Sequence, residues 1–69
     1  MIFFDPDLVV GNCADLSNGD QINAWRNGCL FHTGTVTDLL PVMGLFWIRE
    51  QGLGERRRLD MGELEITRF

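Results

Sequence analysis

The sequence predicts a single all-β domain in which five short strands close into a small barrel. Two observations indicate this class. The stretches between chain breaks are of strand length and rich in β-branched and aromatic residues. Eight glycines and two prolines punctuate the 69 residues, and no segment keeps a helical period over enough length to compete. A chain this short buries only about 60% of its unfolded surface, so one core is all it can form.

The predicted strands follow from the turns between them. Residues 21–26 form the first strand, and Asn27-Gly28 after it is the strongest hairpin signal, because a type I′ turn needs positive φ at both central positions. The second strand runs from residue 29 to about 38, with Gly34 marking a bulge or sharp bend. Long, bent second strands are typical of small barrels. The remaining strands cover residues 45–50, 56–60 and 64–67.

Residues 1–18 are interpreted as an N-terminal arm and residues 19–69 as the barrel. The arm is apolar at residues 2–4 and again at residues 8–10, with a turn at Asp5-Pro6-Asp7 between them. It has room for one short extra strand. Its apolar side chains need a surface on which to pack.

Alternation along the strands sorts the side chains into faces. In the first strand Ile22 and Ala24 share the inward face, whereas Trp25 lies on the polar side and outside the main core. The third strand is apolar on both faces, so both should be covered. Either the arm or a second copy packs over its second face, or an aromatic ligand site is built around Trp25 and Phe31. The outcome depends on whether the arm covers the side carrying Phe46 and Ile48.

The charge pattern bears on nucleic acid as a partner. The net charge of −4 argues mildly against it. However, Arg49 and the run Arg56-Arg57-Arg58 lie within ten positions. With Trp25, Phe31 and Trp47 nearby, this cluster resembles the combination of positive charge and stacking rings found in single-strand binders. In the fourth strand Arg56 and Arg58 share one face, and Arg57 takes the other. The plainer interpretation is a charged strand edge that discourages pairing with other sheets.

Catalytic and metal chemistry find little support. The chain has one His and one Ser, so we expect no catalytic residue, and we expect no metal and no cofactor. Cys29 and His32 have a metal-like spacing, but residues three apart on a strand point to opposite faces. Residues 1–5 do not resemble a signal peptide, and the longest uncharged apolar run, residues 39–48, is too short to span a bilayer, so we expect neither a leader nor a membrane segment. We therefore expect a cytoplasmic protein in which Cys13 and Cys29 stay reduced.

Several short features resemble a Tudor domain. They are Gly19-Asp20, Ala24-Trp25 and residues 27–31 at the opening, then residues 52–59 and 62–64 at the later turns. The resemblance covers about residues 19–66 and implies a five-stranded SH3-like barrel. The chain also resembles small bacterial proteins that consist of a lone SH3-like domain, which would suit a mobile-element or environmental sequence.

The family's ligand site is matched only in part. Tudor domains commonly bind methylated Lys or Arg in an aromatic cage. By position, Trp25 and Phe31 would be two cage walls. Ile48 and Gln51 stand where the family places the other aromatic residues, and the chain has no Tyr.

The sequence therefore favours a non-enzymatic interaction module. Its predicted contact face is Trp25 and Phe31, flanked by Asn23 and Arg26, and its partner is another protein or a second copy of the chain. The first alternative is single-stranded nucleic acid bound through Arg49, Arg56 and Arg58. The second is a small-molecule site at an oligomer interface.

Overall fold

The computed structural model describes residues 5–69, so the apolar residues 2–4 of the arm lie outside the described part. Residues 5–69 form six strands and three short 3-10 turns. The all-β prediction is confirmed, and three of the predicted strands have the observed bounds. The strands are β1 (Val9–Val10), β2 (Gln21–Arg26), β3 (Cys29–Leu40), β4 (Leu45–Glu50), β5 (Arg56–Asp60) and β6 (Glu65–Arg68).

All six strands belong to one open sheet, in which the order is β1-β6-β2-β3-β4-β5. Every neighbouring pair is antiparallel. The last strand, β6, returns to lie between β1 and β2. Strand β5 lies at the opposite edge and pairs only with β4.

The sheet curls around one hydrophobic core. A flat six-stranded sheet would hold its edge strands roughly 24 Å apart, five spacings of about 4.8 Å. Yet one face of this sheet is buried from edge to edge, with Val10 7% and Leu59 3% exposed, although residues 5–69 contain no second sheet and no α-helix to cover it. All six strands contribute to one buried cluster. Its members are Val10, Cys13, Leu16, Ile22, Ala24, Val36, Phe46, Ile48, Leu59 and Ile66.

The described part of the arm packs into this core. Val9 and Val10 form the short extra strand, paired with Thr67 and Ile66 of β6. Three arm side chains, Val10, Cys13 and Leu16, join the same cluster as Phe46 and Ile48. The Cys13 thiol also donates a hydrogen bond of 3.3 Å to the Leu45 carbonyl. The arm thus covers one apolar side of β4, the side that faces the core.

The hairpin between β2 and β3 has the backbone that its sequence predicts. Asn27 has φ 51° and Gly28 has φ 77°, so both central residues are in the left-handed region that this tight turn requires.

The bend in β3 differs from the prediction. The register shifts once opposite Ala24 and Trp25, which leaves Phe31 as the extra residue, and once between Val36 and Asp38. Gly34 itself stays in register. It is needed for a different reason: a Cβ at Gly34 would collide with the backbone carbonyl of Arg49 in β4. The glycine therefore marks a close approach of two backbones.

Candidate functional site

The outer surface of β4 and β5 carries one tryptophan among three arginines. In β4, Phe46 and Ile48 are 0% exposed in the core, so the alternating Trp47 and Arg49 lie on the outer face. The register places Arg58 beside Trp47 and Arg56 beside Arg49. We call Trp47, Arg49, Arg56 and Arg58 the arginine–tryptophan face.

Arg56 is the most constrained arginine of this face. Its guanidinium carbon lies 5.4 Å from the centre of the half-buried Trp47 ring, within the range of a cation–π contact. Its Nη2 also lies 2.6 Å from Asp38 Oδ2, with both side chains 56% exposed. Sequence reasoning did not find Asp38, because its position depends on the register of β3.

The other two arginines of the face differ in what they contact. Arg49 Nη1 donates a 3.0 Å hydrogen bond to the Gly54 carbonyl, which holds it against the turn after β4. Arg58 is exposed and has no side-chain hydrogen bond or ion pair among residues 5–69. Arg58 is thus the arginine whose charge is most available to a ligand.

Arg57 takes the opposite side, as alternation predicts. Its Nε lies 3.5 Å from Glu50 Oε2, and His32 Nδ1 lies 3.1 Å from Glu50 Oε1. The Glu50 side chain is only 14% exposed. These contacts hold the Arg57 guanidinium on the side of β5 opposite to Arg56 and Arg58.

The residues of the predicted Trp25/Phe31 face differ in exposure: two are buried and two lie at the surface. Trp25 is 4% exposed and Asn23 is 8% exposed. The Trp25 Nε1 donates a buried hydrogen bond of 2.8 Å to Thr67 Oγ1. Trp25 lies outside the main core cluster, as alternation predicts, and little of its side chain is exposed to a partner. Strand β6 returns beside β2 and places Thr67 directly opposite Asn23, on the face that also carries Trp25.

Phe31 and Arg26 remain together at the surface. Phe31 is 51% exposed, and the Arg26 guanidinium carbon lies 6.0 Å from the centre of its ring. Leu30 beside them is 39% exposed. This pair is a smaller surface than the predicted four-residue face, and it has no second accessible aromatic wall from Trp25.

The two cysteines have different environments. Cys29 is exposed, whereas Cys13 is buried, and burial raises the pKa of the Cys13 thiol above its ordinary value. No group of three or more His, Cys, Asp or Glu within residues 5–69 is placed to hold a metal ion. Over the same residues, no helix is long and apolar enough to cross a membrane.

The comparisons with known proteins give no relative. No protein-family model matches the chain, and neither a curated protein nor a solved structure matches it significantly.

Proposed function

We propose that the protein is a non-enzymatic protein-interaction module on an SH3-like barrel, and that its contact surface is the arginine–tryptophan face. The barrel assignment is supported by the strand order β6-β2-β3-β4-β5, in which the last strand returns beside the first of the five. It is also supported by the long, twice-bulged β3 and by a core to which all the strands contribute.

One observation carries the proposed site: a half-buried tryptophan ring lies in the middle of exposed arginines on one sheet face. A half-buried ring is held in one orientation and still offers apolar area, so it loses little conformational entropy on binding. Trp and Arg are the residues that most often dominate interface energetics. Arg58 adds a charge that no described residue neutralises.

The alternative contact surface is the hairpin that carries Phe31 and Arg26. It retains one exposed ring, but its predicted partner Trp25 is buried and bonded to Thr67. The structure therefore favours Trp47 over Phe31 as the centre of a contact. The two surfaces can be separated by experiment, because they lie on different strands.

A peptide selection tests the proposal. A randomised 12-residue phage library is selected on the wild-type protein, and each recovered peptide is then titrated against the Trp47→Ala and Phe31→Ala variants. Circular dichroism first confirms that both variants are folded. We expect peptides whose affinity falls at least tenfold with Trp47→Ala and less than threefold with Phe31→Ala. A selection that yields only peptides insensitive to Trp47→Ala contradicts the proposal.

Single-stranded nucleic acid is the second candidate for the same face. The observation in its favour is that Arg56 lies over the Trp47 ring with two further arginines beside it, which combines phosphate attraction with a stacking surface. Asp38 and the net charge of −4 oppose it. Fluorescence anisotropy with labelled dT15 at 20 and 200 mM salt tests whether the protein binds single-stranded nucleic acid. Affinity that falls steeply with salt supports this candidate, and no binding at 20 mM removes it.

A further inference from the structure

We infer that the partner of the arginine–tryptophan face is an acidic peptide in extended conformation, which adds to the sheet as a strand beside β5. This inference rests on the proposed function, since it names the partner of the same surface. It is carried by the free edge of β5, by the cleft beside that edge and by the charges along it.

The edge of β5 has backbone groups that point away from the sheet. The Glu50 N–H donates to the Glu55 carbonyl, and the Met61 N–H donates to the Gly44 carbonyl. These two bonds show that the odd-numbered residues of β5 direct their N–H and carbonyl groups toward β4. Residues 56, 58 and 60 therefore turn their N–H and carbonyl groups outward. Within the part of the chain that the structure describes, the N–H and carbonyl of Arg58 have no partner.

Space for an added strand exists along this edge. A cleft of about 250 Å³ lies beside β5, and its apolar lining consists of Leu45, Leu59 and Leu64. The rest of it is lined by the polar side chains His32, Arg57, Arg58, Asp60 and Glu63. The turn after β5 thus leaves part of the edge open. An extended peptide gains main-chain hydrogen bonds at such an edge, and its alternate side chains enter neighbouring pockets.

Alternation defines the chemistry of the peptide. Side chains of an added strand point in turn to the outer face and to the cleft. The outer positions lie beside Arg56 and Arg58 and favour Asp or Glu, because opposite charges on neighbouring strands attract. The inner positions point toward the leucine side of the cleft, where Leu64 is half-buried, and favour apolar side chains. The expected pattern is acidic, apolar, acidic.

Charge also argues against a second copy at this edge. Two β5 strands paired about Arg58 would place Arg58 against Arg58, and like charges directly opposite are destabilising. A shift that brings Arg58 against Asp60 uses a residue whose carbonyl already accepts hydrogen bonds from Glu63 and Leu64. An acidic peptide meets neither obstacle.

The test uses a synthetic acetylated and amidated peptide, Gly-Glu-Val-Glu-Val-Glu-Val-Gly, titrated against the whole chain. Its controls are the same peptide with Lys in place of each Glu, and two N-methylated versions, one with every Glu methylated on its backbone nitrogen and one with every Val. One of these two sets of N–H groups must face β5. The protein variants are Arg58→Glu and, as a matched exposed arginine on another strand, Arg26→Glu.

We expect the glutamate peptide to bind, to slow exchange of the Arg58 amide at least tenfold, and to lose at least tenfold in affinity when one of the two N–H sets is methylated. Arg58→Glu should lose at least tenfold in affinity and gain binding to the lysine peptide, whereas Arg26→Glu should bind like the wild type. No binding of the glutamate peptide overturns the inference. Binding that is unaffected by either methylation, with unchanged Arg58 exchange, also overturns it and leaves the proposed contact surface standing. Failure of the proposed function itself would show instead as selected peptides insensitive to Trp47→Ala.

Discussion

The hydrogen bond between Trp25 and Thr67 allows a direct test of whether Trp25 is a buried, structural residue. Thr67 is 3% exposed, and its Oγ1 accepts from the Trp25 Nε1 at 2.8 Å. Thr67→Val keeps the shape of the side chain and removes the hydroxyl. The variant therefore removes this hydrogen bond with little change in packing volume.

The expected loss is about 1 kcal/mol in the free energy of unfolding, the net contribution of a typical buried hydrogen bond. A domain of this size has a total of roughly 3–10 kcal/mol, so the change is a sizeable fraction. The melting temperature should fall by about 4–8 °C. A buried Trp25 also predicts that Trp25→Ala costs about 3–5 kcal/mol, as truncation of a large buried aromatic side chain does.

Urea unfolding followed by far-UV circular dichroism measures the loss for Thr67→Val, Trp25→Phe and the double variant. The two single changes should be coupled by about 1 kcal/mol, because each removes the same hydrogen bond. Thr35→Val is the control, since the Thr35 hydroxyl has no hydrogen bond among the described residues. Equal stability of the Thr67→Val and Thr35→Val variants, with no coupling in the cycle, would refute the reasoning.

Three further predictions follow from packing and exposure. Gly34→Ala should cost at least about 2 kcal/mol in unfolding free energy, because the new Cβ meets a backbone carbonyl of β4, while Gly11→Ala, with open space around it, should change stability little. Iodoacetamide at pH 8 should modify Cys29 readily and Cys13 only after unfolding, since burial keeps the Cys13 pKa high; peptide mass spectrometry reads the ratio, and equal rates would contradict the buried thiol. Arg56→Ala should change stability by less than about 1 kcal/mol, because its ion pair is exposed, and a larger loss in urea unfolding would show that the pair matters more than surface pairs usually do.

Much of the secondary structure was readable from local chemistry. The strands at residues 45–50 and 56–60 lie between glycines and a proline that end regular structure. The pair Asn27-Gly28 predicted its turn because these two residues readily adopt the positive φ angles that the turn requires. The bulges of β3 were not readable, because they depend on how the strand is paired on both sides. Gly34 was recognised as special, but its reason is a neighbouring backbone that the sequence does not place next to it.

The site was predicted less completely than the strands. Alternation correctly separated Trp25 from Ile22 and correctly placed Arg56 and Arg58 on one face of β5. It did not reveal that Trp25 is buried, since its hydrogen-bond partner Thr67 belongs to β6, which the sequence does not place beside β2. The contact of Arg56 with Trp47 likewise required the register of two strands.

The central claim is that the arginine–tryptophan face is the contact surface. The most direct measurement is a two-dimensional ¹⁵N–¹H spectrum of the protein titrated with a peptide selected on the wild type. We expect the largest shifts on the Trp47 indole N–H and on the amides of Arg49, Arg56 and Arg58. Shifts that cluster instead at Arg26 and Phe31, with these four residues unmoved, would contradict it.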